Sequence, residues 1–283
     1  MKLGILNIAF NRPEYFKQTL AALSKQDIPQ KTIYVCYIDG PRNYDDASGI
    51  KKNRAMAESF ASEGVQSGRF ANANVNMRET NYFCDRNIML AVDDVIQLVD
   101  ALVVVEEDVV VKKGFMEWML WGIEHLVMPG KCQSILAHSE PKSNKEDPAA
   151  YYVENWFTPW GWATTKDAWN KVFHSWAALL EDASIDVITR AMLEAALKEG
   201  KYSTFCKYGD KKLLQFPGGW DYFCNMTYGL QGLKEAAPVV PRCQNVGKHG
   251  AHQDGITQWP ELADRKTTSD DYELVSDFHE VPK

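Results

Sequence analysis

The first 137 residues alternate between short apolar runs and segments in which apolar side chains recur at helical spacing. The apolar runs occupy residues 3–9, 32–38, 73–78, 101–105 and 133–137. Between them lie the helical segments, at residues 14–25, 44–67, 85–99 and 114–127. Strands that alternate with helices in this way pair in parallel, and the helices cover both faces of the sheet. We therefore predict an α/β fold with a mostly parallel central sheet, whose ligands bind beyond the carboxyl ends of the strands.

The second half of the chain departs from this alternation. An aromatic loop, Trp-Phe-Thr-Pro-Trp-Gly-Trp, occupies residues 156–162, and helical spacing returns at 166–173 and 182–199. A further helix opens at 217–221, and a loop that bears Gly and His follows over 238–255. Neither repeats nor low-complexity segments occur, so we predict a single domain.

Charge and composition exclude several classes of protein. The chain carries 31 Lys and Arg against 38 Asp and Glu, a net charge of -7, which argues against general nucleic-acid binding. No apolar run approaches the length of a signal or transmembrane segment, so we expect a cytoplasmic protein, with peripheral contact to a membrane surface left open. The six cysteines lack the spacing of a zinc site, which favours reduced thiols.

Three carboxylates follow directly on the strand predicted over residues 101–105. Glu106, Glu107 and Asp108 therefore fall at the edge of the sheet where ligands bind. Like charges this close together are costly unless a cation joins them, and Mg²⁺ or Mn²⁺ prefers carboxylate oxygens while keeping coordination positions for substrate phosphates. A solvated acidic loop without function explains the same three residues equally well at this stage.

The carboxylates and the strand before them also resemble a known segment. Residues 103–109, Val-Val-Val-Glu-Glu-Asp-Val, are similar to the metal-binding segment of GT-A glycosyltransferases, in particular N-acetylglucosaminyltransferase I and its microbial relatives. The resemblance implies that Asp108 ligates the metal ion and that Glu106 helps to orient the donor sugar. It also implies that Glu107, an Asp in that family, contacts the donor nucleoside.

Two segments near the N-terminus resemble nucleotide-binding parts of the same family. Residues 8–13, Ile-Ala-Phe-Asn-Arg-Pro, imply that Arg12 reaches the base and phosphates of the donor. Residues 37–40, Tyr-Ile-Asp-Gly, imply that Asp39 accepts a hydrogen bond from the N3–H of uracil, which selects a uridine donor. A surface arginine and an ordinary Asp-Gly-Pro turn explain these residues without a nucleotide.

Two further segments extend the predicted donor site. Residues 81–87 resemble an Arg-Asn segment of many bacterial glycosyltransferases, which implies that Arg86 lines the site, although Asp85 as a helix cap explains most of the pattern. Residues 241–252 resemble the mobile loop that closes over the donor in the GT-A family. That loop implies that Lys248 reaches the diphosphate and that His252 binds the metal, although a lone histidine usually satisfies local hydrogen bonds.

The acceptor side of the resemblance rests on the aromatic loop and on the helix that opens at 217–221. Gly161 and Trp162 match a Gly-Trp pair of the family, which implies a wall that lines the saccharide, while clustered Trp residues serve equally well as core. Residues 219–223 resemble the family's Trp-Asp-Asp-Trp segment. Asp221 is then the catalytic base and Trp220 an acceptor contact, although an acid at a helix N-terminus is also favoured by the helix dipole.

Together these resemblances imply a GT-A fold and an inverting, metal-dependent glycosyltransferase of the hexosyltransferase or N-acetylglucosaminyltransferase type. The donor is a UDP-sugar, N-acetylglucosamine being the sugar that the resemblance suggests, and the acceptor is a glycan or another hydroxyl compound. Residues 1–110 form the nucleotide-binding half, 111–255 the acceptor-binding half and 256–283 a polar tail. Two alternatives stay open, a noncatalytic carbohydrate-binding protein and a sugar-nucleotide pyrophosphorylase, which requires a glycine-rich loop after the first strand.

Overall fold

A nine-stranded sheet forms the centre of the protein. The structure is a computed structural model that describes residues 1–139, 147–174, 220–247, 267–268, 273–275 and 277–282. Strands from residues 3–106 form one end of this sheet, and strands from residues 134–280 form the other. The predicted mostly parallel α/β architecture is confirmed.

Four parallel strands in the order β3-β2-β1-β4 carry the features predicted from the first half of the sequence. The strands are β1 Leu3–Ala9, β2 Ile33–Ile38, β3 Asn72–Met77 and β4 Ala101–Glu106. The helices that connect them are α1 Pro13–Leu23, α2 Asp46–Gln66 and α3 Phe83–Ile96. Pro13 opens α1, as its fixed φ and missing N–H favour.

Residues 109–280 add shorter elements whose pairing is mixed. A two-stranded antiparallel sheet joins β5 Val109–Val111 to β10 Cys243–Asn245. The helices are α4 Phe115–Gly122, which continues as a π-helical turn over Ile123–Val127, α5 Lys166–Val172 and α6 Trp220–Gln231. The remaining strands are β6 Ser134–Leu136, β7 Ala150–Glu154, β8 Trp162–Thr165, β9 Glu235–Pro238 and β11 His279–Glu280. The strand order of the large sheet is β11-β7-β9-β6-β8-β4-β1-β2-β3.

Two apolar cores cover the two faces of the large sheet. Side chains of α1, α2 and α4 pack on one face, with Val103 and Val105 of β4 among them. Side chains of α3, α5 and α6 pack on the other face, together with Leu102 and Val104. Successive residues of a strand point to opposite faces, so the residues that follow β4 are expected to serve the two faces in turn.

Several short strands of the second half were not predicted from the sequence. The aromatic loop expected over 156–162 leads into β8, and β7, β9, β10 and β11 had no counterpart in the predicted elements. The helix predicted over 182–199 lies outside the described residues, and the division into halves stays a prediction. No helix in the described ranges combines the length and the apolarity that crossing a membrane requires.

Candidate active site

Glu106 ends β4, and Glu107 and Asp108 follow it at the carboxyl edge of the four parallel strands, where adjacent residues face opposite sides of the sheet. Glu107 contacts groups from the β1–α1 connection and from α2. Glu106 lies on the α3 and α6 side, close enough to Asp221 of α6 for that charge to affect its pKa. The strand therefore divides one acidic triplet between two environments.

Glu107 is buried and its carboxylate is fully engaged by the protein. Its Oε2 accepts hydrogen bonds from the backbone N–H of Phe10 at 2.7 Å and from Nδ2 of Asn53 at 3.0 Å. Its Oε1 accepts a hydrogen bond from Nε of Arg12 at 2.5 Å, and its backbone carbonyl accepts one from Thr19 Oγ1 at 2.8 Å. Glu107 thus fastens the end of β1 to α1 and α2, and its predicted contact with a nucleoside stays a prediction.

Arg12 joins two members of the triplet. Its NH1 lies 3.0 Å from Oδ2 of Asp108, while its Nε binds Glu107. Burial lowers the pKa of the Arg12 guanidinium, but the charges of Asp108 and Glu107 outweigh it and raise that pKa above its usual value. A fixed cation therefore stands beside the predicted metal ligand, where an incoming phosphate would also find it.

Glu106 lies among an excess of negative charges. Burial and the charge of Asp108 raise its pKa well above the usual value, and the charges of Asp221 and Glu107 raise it further, while the charge of Arg12 opposes them. Cys84, an exposed residue of α3, lies near enough to Glu106 and Asp221 for their charges to act on its thiol. A bound cation would relieve this repulsion.

Asp221 is positioned by a contact that the sequence pattern did not predict. The Oδ1 of Asp85 accepts a hydrogen bond from the backbone N–H of Trp220 at 2.7 Å, so Asp85 caps α6 and not its own helix α3. From inside α6, the Asn225 side chain donates to the Asp221 carbonyl at 3.0 Å and exchanges hydrogen bonds with the backbone of Phe157. These contacts fix the first turn of α6 against α3 and against the loop before β8.

Gly247 packs against the predicted metal ligand. A Cβ on Gly247 would overlap Oδ2 of Asp108, so no larger residue fits there without moving the carboxylate. The Val246 N–H donates to the Asp108 carbonyl at 2.8 Å, and the Gly247 N–H donates to the side chain of Asn245 at 2.8 Å. The segment after β10 therefore holds Asp108 in place by a backbone hydrogen bond and by close packing, a role that the resemblance does not assign to it.

Asp39 lies buried at the end of β2 and holds the connection between β3 and α3. Its Oδ1 accepts hydrogen bonds from the backbone N–H groups of Gly40 at 2.9 Å and Tyr82 at 2.8 Å, and its Oδ2 accepts one from Asn81 Nδ2 at 3.0 Å. Burial raises the pKa of Asp39, although the Tyr82 and Gly40 N–H groups oppose that shift. The predicted contact with uracil stays a prediction.

Arg86 lies in α3 with its guanidinium carbon 4.4 Å from the ring centroid of Tyr82. Arg78, which no sequence motif singled out, contacts the same ring at 4.9 Å and the ring of Tyr37 at 4.6 Å. This stack of cations and rings stands at the ends of β2 and β3. Arg86 is therefore on the predicted nucleotide side, and its contact with a donor stays a prediction.

The residues predicted to line the acceptor are interior ones. Trp162 of β8 is 2% exposed and Trp220 is 4% exposed, and both pack with Phe157. Gly161 has φ 71°, and a side chain there would press on Phe115. Of the two alternatives weighed from the sequence, packing is the role that the structure shows, and a contact with an acceptor stays a prediction.

Lys248 and His252 lie outside the described residues, so their predicted roles stay predictions. Within the part of the chain that the structure describes, no group of three or more His, Cys, Asp or Glu side chains stands in a geometry that holds a metal. Asp108 and Glu106 offer hard oxygen ligands, as Mg²⁺ and Mn²⁺ prefer.

Comparison with known proteins assigns no family. No protein-family model and no curated protein matches the chain. Among solved structures, TarS from S. aureus matches 61% of this chain and 30% of its own, with 12% sequence identity and a TM-score of 0.41. The mannose-1-phosphate geranyltransferase from Thermus thermophilus matches 65% of this chain and 66% of its own, with 14% identity and a TM-score of 0.36. The matches span less than two thirds of either structure, and at these scores they carry no functional assignment.

Proposed function

We propose that this chain is an inverting GT-A glycosyltransferase that moves a sugar from a UDP-sugar to a saccharide hydroxyl, with a divalent metal ion at Asp108. The observation that supports this most is the meeting of Glu106, Asp108 and Asp221 at the carboxyl edge of parallel strands, where their charges act on one another. Such an edge is where ligands of open α/β sheets bind. N-acetylglucosamine is the donor sugar that the family resemblance suggests.

The spacing of the strands suits an extended nucleotide. Asp39 follows β2 and Asp108 follows β4, with β1 between these strands. Two strand spacings amount to about 10 Å, the scale that a nucleoside diphosphate has to bridge between its base and its diphosphate. Arg12 follows β1, between the strand that leads to Asp39 and the strand that leads to Asp108, and it neutralises part of the Asp108 charge.

The carboxylates fit a hard divalent cation whose coordination is completed by the substrate. Asp108 and Glu106 would supply one or two oxygens, and phosphate oxygens and water would supply the rest, a common arrangement for Mg²⁺. When bound, such an ion offsets the charge that develops on the departing diphosphate. Gly247 keeps the space beside Asp108 Oδ2 clear of side-chain atoms.

Asp221 is the proposed base. The acceptor O–H gives its proton to the Asp221 carboxylate while its oxygen forms a bond to the anomeric carbon. The bond from that carbon to the diphosphate oxygen breaks on the opposite side, and UDP leaves with the electron pair. Asp85 and Asn225 hold the backbone of this turn, so the carboxylate meets the acceptor in a fixed orientation.

Titration calorimetry with UDP, in the presence and absence of Mn²⁺, tests the donor site. Metal-dependent binding of UDP is the expected result. Glycan binding that is indifferent to both UDP and Mn²⁺ would instead favour the noncatalytic carbohydrate-binding protein. Pyrophosphate-dependent formation of nucleoside triphosphate from a UDP-sugar would favour the pyrophosphorylase, although Phe10, Asn11 and Arg12 supply no glycine to its phosphate loop.

Replacement of Asp221 tests the chemistry. In a screen of UDP-sugars and acceptors that monitors released UDP, we expect Asp221→Asn to lower turnover by about 100-fold to 10,000-fold while UDP affinity stays nearly unchanged. Asp167→Asn is a matched control, since Asp167 is an exposed acid in the first turn of α5. Turnover that survives in Asp221→Asn would remove Asp221 from the mechanism.

A further inference from the structure

Phe83, the first residue of α3, adopts a backbone conformation that its side chain disfavours. Its φ is 58°, in the left-handed region, where a bulky residue is an outlier and glycine is at ease. Its ring is 68% exposed, so apolar burial does not compensate the strain. Neither backbone geometry nor core packing accounts for a Phe at this position.

The turn that presents Phe83 is held from several directions. The Phe83 N–H donates to Oδ1 of Asn81 at 3.1 Å, and the amide of Asn81 donates to the Gly40 carbonyl at 2.7 Å and to Asp39. Gly40 packs so tightly against Thr80 that a Cβ would overlap its carbonyl group. The end of β2 thus fixes the turn while the ring stays in solvent. A strained residue persists where its surroundings determine it in this way, which is common at ligand sites.

The neighbours of Phe83 belong to the two ends of the proposed donor site. Arg86 lies three residues further along α3, on the same face of the helix, and Tyr82 lies between Arg86 and Arg78. Cys84, the next residue of α3, lies within electrostatic range of Glu106 and Asp221. Phe83 therefore stands at the border between the cationic end above β2 and β3 and the acidic end above β4.

We propose that the ring of Phe83 is the platform on which the nucleobase of the donor stacks, an inference that rests on the proposed UDP-sugar transferase function. A flat, exposed aromatic ring offers a base its π-face, and such stacking tolerates any base. The turn is fastened to β2, about 10 Å from the carboxylates after β4, so a base on Phe83 leaves the diphosphate within reach of Asp108. Arg86 flanks the ring as a donor for base carbonyl or phosphate oxygens.

The test compares a ligand that has a base with one that has none. Calorimetric titrations with UDP and with inorganic pyrophosphate, both in Mn²⁺, are made on the full chain and on Phe83→Ala, Phe83→Gly and Phe83→Tyr. We expect Phe83→Ala and Phe83→Gly to weaken UDP binding by about tenfold to 100-fold, Phe83→Tyr to retain it, and pyrophosphate binding to stay the same in all four.

Thermal unfolding separates loss of the ring from loss of the fold. Because glycine accepts φ 58°, Phe83→Gly should unfold at a temperature no lower than Phe83→Ala does, and yet bind UDP as weakly. If the wild-type protein binds UDP and Phe83→Ala binds it with the same affinity, the stacking role of Phe83 is wrong while the proposed function stands. The same conclusion follows if Phe83→Ala loses as much affinity for pyrophosphate as it loses for UDP. Wild-type protein that binds neither UDP nor pyrophosphate would overturn the proposed function itself.

Discussion

Glu106 and Glu107 are neighbours in the sequence and opposites in their surroundings. Glu107 is met by the Arg12 guanidinium, the Asn53 amide and the Phe10 N–H on the α1 and α2 side of the sheet. Burial raises the pKa of both glutamates, but Arg12 and the Phe10 N–H oppose that shift at Glu107, whereas the charges of Asp108 and Asp221 add to it at Glu106 on the other side. The same residue type is an anchor in one place and a source of repulsion in the other.

This difference shows what a run of acids after a strand does and does not mean. Strand alternation sends adjacent carboxylates to opposite faces, so an acidic triplet is not one site by default. The side on which the protein supplies all the partners stabilises the fold. The side on which negative charge remains in excess is the side that a bound cation and a phosphorylated ligand would complete.

The sharpest test exchanges each glutamate for its neutral isostere. Glu107→Gln takes the charged partner from Nε of the partly buried Arg12, so we expect the free energy of unfolding to fall by about 2 to 3 kcal/mol. Glu106→Gln removes a charge that burial and the carboxylate of Asp108 disfavour, so we expect the free energy of unfolding to rise. Urea unfolding at pH 7 without metal measures the change in the free energy of unfolding for both variants. If both variants change it in the same direction, the contrast between Glu106 and Glu107 is wrong.

A smaller effect is expected when the space beside the Asp108 carboxylate is filled and the charge of Asp108 is kept. Gly247→Ala puts a methyl group where Oδ2 of Asp108 now lies, so the carboxylate must turn away. Changes of this kind around a ligand weaken metal binding by about tenfold to 100-fold, and we expect that loss in Mn²⁺-dependent UDP affinity. Val246→Ala keeps the backbone bond to Asp108 and is the control. Unchanged affinity in Gly247→Ala would remove Asp108 from the metal site.

The elements that position the triplet could be predicted because their signals are local. The strand over 101–105 is an unbroken apolar run, and β1 and α1 follow one another with Pro13 at the expected place. The strand β8 could not be predicted in this way. Its residues after Trp162 are small and polar, and their extended state depends on pairing with β4 and β6, which local periodicity does not report.

The partners in the site escaped prediction for the same reason. Asn53 lies in a polar stretch of α2, 54 residues before Glu107, and nothing in its spacing singles it out. Asp85 was interpreted as a cap of its own helix, but it caps a helix that begins 135 residues later. The sequence indicates a loop that contains glycine around residue 247, but it does not indicate that Gly247 contacts Asp108, because the two residues lie far apart in the chain.

Asp46 is a second carboxylate that the protein itself pairs, as it does Glu107, and its effect on the free energy of unfolding should depend on pH. This is the smallest effect that we expect. The pKa of Asp46 is lowered to about 2, first by its hydrogen bonds to the Arg42 side chain and against the effect of burial, and Asn11 also donates to it. A lowered folded pKa means that Asp46 stabilises the fold above its unfolded value of about 3.8, and that this contribution fades as the pH falls toward 2. We expect Asp46→Asn to lower the free energy of unfolding by about 1 to 2 kcal/mol at pH 7 and by progressively less between pH 4 and pH 3, measured by urea unfolding.

The exposed neighbour Asp45 offers a control in Asp45→Asn, which should change the free energy of unfolding little at any pH. A gap between wild type and Asp46→Asn that stays constant down to pH 3 would show that Asp46 is not an ionic anchor and that the contrast with Glu106 is confined to the triplet.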